Sequence, residues 1–113
     1  MTQVVNFEDE RNHILGVFKN VLERDTTISV EERREFGRQT LTVTLATGST
    51  FRVSCGVTKH QVSVMCATVV DDMSVKHFYE FRCPRKTLPK IRKNALILSK
   101  KISLFDLYQV MNS

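Results

Sequence analysis

The first regular pattern along the chain is an apolar stripe. Ile14, Leu15, Phe18, Val21 and Leu22 recur at helical spacing, with Arg11, Lys19 and Glu23 facing away, which predicts an amphipathic helix over Phe7 to Glu23. Glu8, Asp9 and Glu10 fall in its first turn, where the partial positive charge of a helix N-terminus favours carboxylates, and Asn6 is placed to cap it. The next stretch, Asp25 to Arg38, is ambiguous. Its TTISV could begin a strand, but the Glu/Arg mixture that follows favours helix. Ser29 with Glu32 resembles a capping box, and Gly37 could close a turn after Phe36. The expectation is a short helical turn from Val30 to Phe36.

From Gln39 the period becomes two. Leu41, Val43 and Leu45 point one way and Thr40, Thr42 and Thr44 the other, the pattern of a half-buried strand. Thr47 and Gly48 supply a turn, after which Phe51, Val53 and Cys55 alternate with Thr50, Arg52 and Ser54, making a hairpin. A second turn around Gly56 to Lys59 leads into Gln61 to Val70, apolar enough on both sides to be a central strand, which Asp71 and Asp72 end. In the last strand, Val75 to Arg82, strict alternation puts Val75, His77, Tyr79 and Phe81 on one face and Lys76, Phe78, Glu80 and Arg82 on the other. Connections this short imply an antiparallel meander. If the helix covers the Leu41/Phe51/Val64/Tyr79 side, the other side is polar and basic, with Phe78 as its one exposed ring.

Two segments complete the chain. Arg82 to Lys93 contains Pro84 and Pro89, which lack backbone donors and disfavour helix in the residues before them, so it reads as an extended basic arm. Ala95 to Ile102 is apolar and suits either a fifth strand or an anchor against the core. Ser103 with Asp106 then looks like a capped start for a short helix presenting Leu104, Leu107, Tyr108 and Met111. The expected fold class is α+β: a four-stranded antiparallel β-meander, with a possible fifth strand, packed with an N-terminal amphipathic helix and a short C-terminal helix. With 113 residues and no Pro/Gly/Ser-rich linker, residues 1–113 should form a single domain.

Composition adds a compartment and a charge. Cys55, Cys66 and Cys83 are odd in number and widely spaced, as suits reduced thiols, and neither an apolar run of membrane-spanning length nor a basic, greasy N-terminus is present. An intracellular protein is expected. The net charge of +5 is carried by one segment: Arg82 to Lys101 holds eight of the 17 Lys and Arg and none of the 12 acids, leaving the remainder at −3. Such an asymmetry suits a polyanionic partner.

The function that follows is a small, non-enzymatic, nucleic-acid-binding regulatory protein. Arg85, Lys86, Lys90, Arg92 and Lys93 would grip phosphates, with Arg52, Lys76, Phe78 and Arg82 extending the surface. An exposed ring between cations is where unpaired bases stack, which favours single-stranded RNA or DNA. A protein-interaction module, an inhibitor or adaptor holding an acidic partner surface through the same basic segment, is the alternative. A homodimer is compatible with the terminal helix and sheet edges. A small basic ribonuclease comes third, because RNA cleavage needs an acid, a base and cations, and His60, His77, Tyr79, Lys76, Arg82 and Arg85 are candidates. No metal or other cofactor is expected. Cys55, Cys66, Cys83, His60 and His77 have no ligand spacing that would bring two of them together on one turn.

Overall fold

The computed structural model describes residues 7–71 and 74–112; Asn6 and Asp72 lie outside them. Helix α1 spans Phe7–Leu22, and its stripe of Ile14, Leu15, Phe18, Val21 and Leu22 is buried as expected. Asp25 closes the turn after it, accepting hydrogen bonds from the Thr27 hydroxyl (2.6 Å) and backbone N–H (3.0 Å). Five strands follow: β1 (Ser29–Glu35), β2 (Arg38–Thr44), β3 (Thr50–Val57), β4 (Gln61–Asp71) and β5 (Ser74–Pro84). They pair antiparallel in the sequential order β1-β2-β3-β4-β5. Helix α2, Leu88–Met111, completes the chain. The class is α+β as expected, with the fifth strand at an unexpected place.

That strand is β1, in the stretch expected to be a helical turn. The correction has a tertiary cause. Strand alternation sends Glu32 and Arg34 to the α1 side, where Glu32 meets Lys19 at 3.6 Å and Arg34 meets Glu8 at 2.6 Å. On the other side, Glu31 pairs with Arg33 at 3.1 Å and Glu35 with Arg52 of β3 at 3.4 Å. Charges that favour helix in isolation thus find partners on both faces of an edge strand, where they also discourage edge-to-edge association. Gly37 closes no helix. With Phe36 it forms the two-residue loop between the paired Glu35 and Arg38, both at positive φ (53° and 77°), the backbone that a tight hairpin with matching twist requires.

Helix α2 overturns two further expectations and decides between two readings of a third segment. The basic stretch is not an extended arm from Arg82 to Lys93, Ser103 starts no helix, and 94–102 is the anchor against the core, not the strand. Instead β5 runs to Pro84 and one 24-residue helix, about 36 Å long, begins at Leu88. Pro89 sits in its first turn, where a missing N–H costs nothing because no carbonyl awaits it. Ile91, Ala95, Leu98 and Ile102 then carry the helix onto the core.

Both helices cover one face of the sheet. Leu41, Val43, Phe51, Val53, Val62 and Val64 point into a single core with the α1 and α2 stripes, and Phe18 of α1 stacks on Phe81 of β5 with ring centroids 5.9 Å apart. Cys55, Cys66 and Cys83 are buried free thiols. Burial pushes the pKa of Cys55 and of Cys66 up to about 12. The opposite face, including Thr42, Ser54, Ser63 and Met65, is covered by no element among the described residues. Among these residues, no helix is long and apolar enough to cross a membrane.

The β4–β5 pairing shifts register twice, between Cys66 and Ala67 and between Val69 and Asp71, and the first shift breaks the alternation of β5. Cys66 pairs with Tyr79 and Ala67 with His77, so Phe78 is the extra residue of a β-bulge. The bulge turns Phe78 to the helix side, where it meets Phe51 (4.9 Å) and Phe105 of α2 (5.7 Å) edge to face. The expectation of Phe78 on the open face is therefore corrected: beside it, Tyr79 also faces the helices, donating its hydroxyl to Asn94 of α2 and lying under Lys101.

Candidate functional site

A meander sends alternate turns to opposite ends of the sheet, and the helices run along the strands. One end therefore gathers the start of α1, the β1–β2 loop, the β3–β4 turn and the start of α2. The backbone hydrogen bond from Arg85 N–H to the His60 carbonyl, 3.2 Å, ties two of these together. The end is strongly basic. Arg38, Lys59, Lys86, Lys90, Arg92 and Lys93 are all exposed there and form no ion pair among the described residues.

Three of them crowd the N-terminus of α2. Lys90 lies in its first turn and Arg92 and Lys93 follow, with no acidic residue in that turn. The first N–H groups of a helix already carry partial positive charge, so cations there are electrostatically misplaced unless an anion joins them. Between Arg92 and Lys93 the helix surface has a recess of about 400 Å³ lined also by Leu88, Pro89 and Leu96. Lys86, in the connection from β5, holds a left-handed conformation at φ 68°.

Phe36 stands at the same end. It is fully exposed, at 104% of its reference area, and a bulky residue at φ 53° in a hairpin loop carries strain that Asn or Gly would avoid. An apolar ring held in solvent at a cost is suited to stacking on a planar partner. Arg38 follows Phe36 after one glycine.

The sequence-predicted residues divide between this end and the rest of the fold. Lys86, Lys90, Arg92 and Lys93 come together. Arg85 lies among them, but its Nε donates to Glu10 at 2.7 Å and its guanidinium lies over the Phe7 ring at 4.9 Å, so it fastens α1 to the start of α2. Arg52 and Arg82 are on the open sheet face, paired with Glu35 and with Glu80 (3.9 Å); the Arg52 Nε is buried without a hydrogen-bond partner. Lys76 is exposed on β5 opposite Thr68, toward the other end of the sheet, and Phe78 is packed as described.

Arg38, Lys59 and Phe36 were missed because they are scattered in sequence and only the meander assembles them. A Phe-Gly pair immediately before an alternating segment was the available signal.

The two histidines considered for RNA cleavage are separated. His60 precedes β4 at the basic end, whereas His77 pairs with Ala67 six residues along that strand, about 20 Å away at strand rise. Burial raises the Tyr79 pKa, opposing its use as an acid. Among the described residues, no three His, Cys, Asp or Glu side chains converge on a possible metal position.

Comparison with protein-family models, curated proteins and solved structures finds no match to this chain, so the functional reading rests on its own residues.

Proposed function

We propose that this protein is a nucleic-acid-binding regulator that holds the phosphate backbone at its basic end without catalysing a reaction. The observation that carries the reading is the set of exposed cations, Lys86, Lys90, Arg92 and Lys93, around a helix N-terminus that is already positive and lacks a carboxylate. Arg38 and Lys59 extend the set across the end of the sheet. Phe36 takes the part expected of Phe78: it is the exposed ring beside cations, and it favours single-stranded RNA or DNA over duplex.

The test is a fluorescence-anisotropy titration of mixed-sequence single-stranded and duplex oligonucleotides over a range of salt. With about five phosphates engaged, log K should fall with log salt at a slope of roughly −3.5 for single strands and −4.5 for duplex. Changing Lys86, Lys90, Arg92 and Lys93 together to Glu should abolish binding; unchanged affinity would falsify the reading. Phe36→Ala should weaken single-strand binding by about 5- to 150-fold, the equivalent of one stacked base, and leave duplex binding nearly alone.

One observation favours a second reading. Leu88 and Leu96 are 42% and 43% exposed beside Arg92 and Lys93 around the helix recess, which suits an acidic peptide with an apolar anchor better than a phosphate chain. Pull-down with and without nuclease separates the two: a partner retained after complete nucleic-acid removal supports the protein partner.

A further inference from the structure

We propose that the C-terminal half of α2 is a dimer interface, occupied by the same half-helix of a second copy of this chain. The last residue that α2 buries is Ile102. Beyond it, Leu104, Leu107, Tyr108 and Met111 are 65%, 55%, 69% and 75% exposed. Their spacing places them on one face of the helix. The inner side of this half is anchored: Phe105 packs edge to face on Phe51 at 5.2 Å, and Gln109 accepts hydrogen bonds from the hydroxyls of Ser49 (2.6 Å) and Thr47 (3.3 Å). The apolar face is thus held rigidly outward.

Three features select a second copy as its occupant. The first is charge. The chain carries +5 overall, concentrated in Arg82 to Lys101, so two copies repel where those basic segments approach each other. From Ile102 to Met111 the only charged residue is Asp106, whose carboxylate is 3.5 Å from the Thr47 hydroxyl, on the sheet side. This patch is at the opposite end of α2 from Lys90, Arg92 and Lys93, so two copies meeting here keep those three cations apart; the cation at its edge is Lys101.

The second feature is shape. A recess of about 330 Å³, lined by Phe78, Lys101, Leu104, Phe105 and Tyr108, adjoins the protruding Leu107 and Met111. A protrusion and a recess on one surface are what a two-fold, self-complementary contact requires.

The third is area. The four outward side chains and Val110, 57% exposed, offer about 500 Å² together, so an isologous pair would bury about 1,000 Å², the lower bound for a specific interface. Its aromatic and methionine content, with charge excluded, is that of an interface centre. The inference does not depend on nucleic-acid binding, and the dimer would leave both basic ends free.

The test is sedimentation equilibrium of the full chain, without nucleic acid, from micromolar to hundreds of micromolar. The mass should rise from that of one chain to that of two. The double variant Leu104→Glu with Leu107→Glu should remain a monomer throughout while keeping its helical circular dichroism, because both positions are exposed in the single chain. The three native thiols are buried, so an introduced surface cysteine can be cross-linked selectively. Leu107→Cys should form a disulfide-linked dimer under mild oxidation, and Lys59→Cys, at the far end, should not. A wild-type chain that stays monomeric overturns the proposal, even if the face retains some other protein. A dimer that survives the double Glu change, or cross-linking equal at both cysteines, overturns it too.

Discussion

Helices α1 and α2 begin at the same end of the sheet and pack on the same face, yet their first turns are opposites. The first turn of α1 offers Glu8, Asp9 and Glu10 to its own positive N-terminus, and carboxylates there also reach across the fold: Glu8 binds Arg34 and Glu10 binds Arg85. That of α2 offers Lys90 to a like charge, with Arg92 and Lys93 close behind and no acidic residue in the turn itself. The contrast separates two uses of a charged residue. Around α1, charge is consumed inside the molecule and fixes β1 and the β5–α2 connection in place. Around α2, it is left facing solvent in an arrangement that only an external anion relieves.

The contrast concerns charge alone, and the largest expected effects test that restriction. Phe18 of α1 and Leu98 of α2 are both fully buried. Phe18→Ala should destabilise the protein by about 3–5 kcal/mol and Leu98→Ala by about 2–5 kcal/mol in urea denaturation. Comparable losses mean that the two helices are equally rooted in the core. A Leu98→Ala effect below about 1 kcal/mol would mean that α2 is loosely docked, and its unpaired cations would then follow from mobility and not from design.

What the sequence makes legible follows from how local each cause is. The α1 stripe, the alternation in β2 and β3 and the apolar run of β4 are properties of short windows, and those elements form where expected. Strand β1 is not local: it is a strand because it pairs with β2 from Ser29 opposite Thr44 to Glu35 opposite Arg38, and Lys19 and Glu8 receive the charges of Glu32 and Arg34 across the fold. The bulge at Phe78 is equally invisible to alternation, since it depends on what Phe51 and Phe105 present. For α2 the signal was present, in the helical spacing of Ile91, Ala95, Leu98 and Ile102. Giving Pro89 the weight of a breaker, when it stands in a first turn, concealed it. The candidate site was legible as a run of cations but not as a place, because Arg38, Lys59 and Phe36 join it only through the meander.

The difference between consumed and offered charge can be sharpened on two neighbouring residues. Arg85 and Lys86 look interchangeable in sequence. Arg85 is largely covered, its side chain 17% exposed against 23% for Glu10, and it adds a cation–π contact to Phe7. Arg85→Met should therefore cost about 1–3 kcal/mol, much of it from leaving Glu10 without its partner. Lys86→Met should stay within about 0.5 kcal/mol, as surface changes without partners do. Chemical denaturation of the two variants decides it. Equal costs would remove the division of the basic residues into structural and offered sets.

The smallest effect is the most telling, because its sign runs against ordinary expectation. Most substitutions destabilise, but Lys90→Glu replaces a misplaced cation with a carboxylate that the α2 N-terminus favours, and it lowers repulsion among Arg92, Lys93 and Lys86. The variant should be more stable than the parent by about 0.3–1 kcal/mol at low ionic strength, with the gain shrinking as salt is added. The same change should weaken oligonucleotide binding. Stability gained together with affinity lost is the signature of a residue kept for a partner at the expense of the fold. A destabilised Lys90→Glu variant would instead mean that Lys90 serves the folded chain, and α2 would then resemble α1 after all.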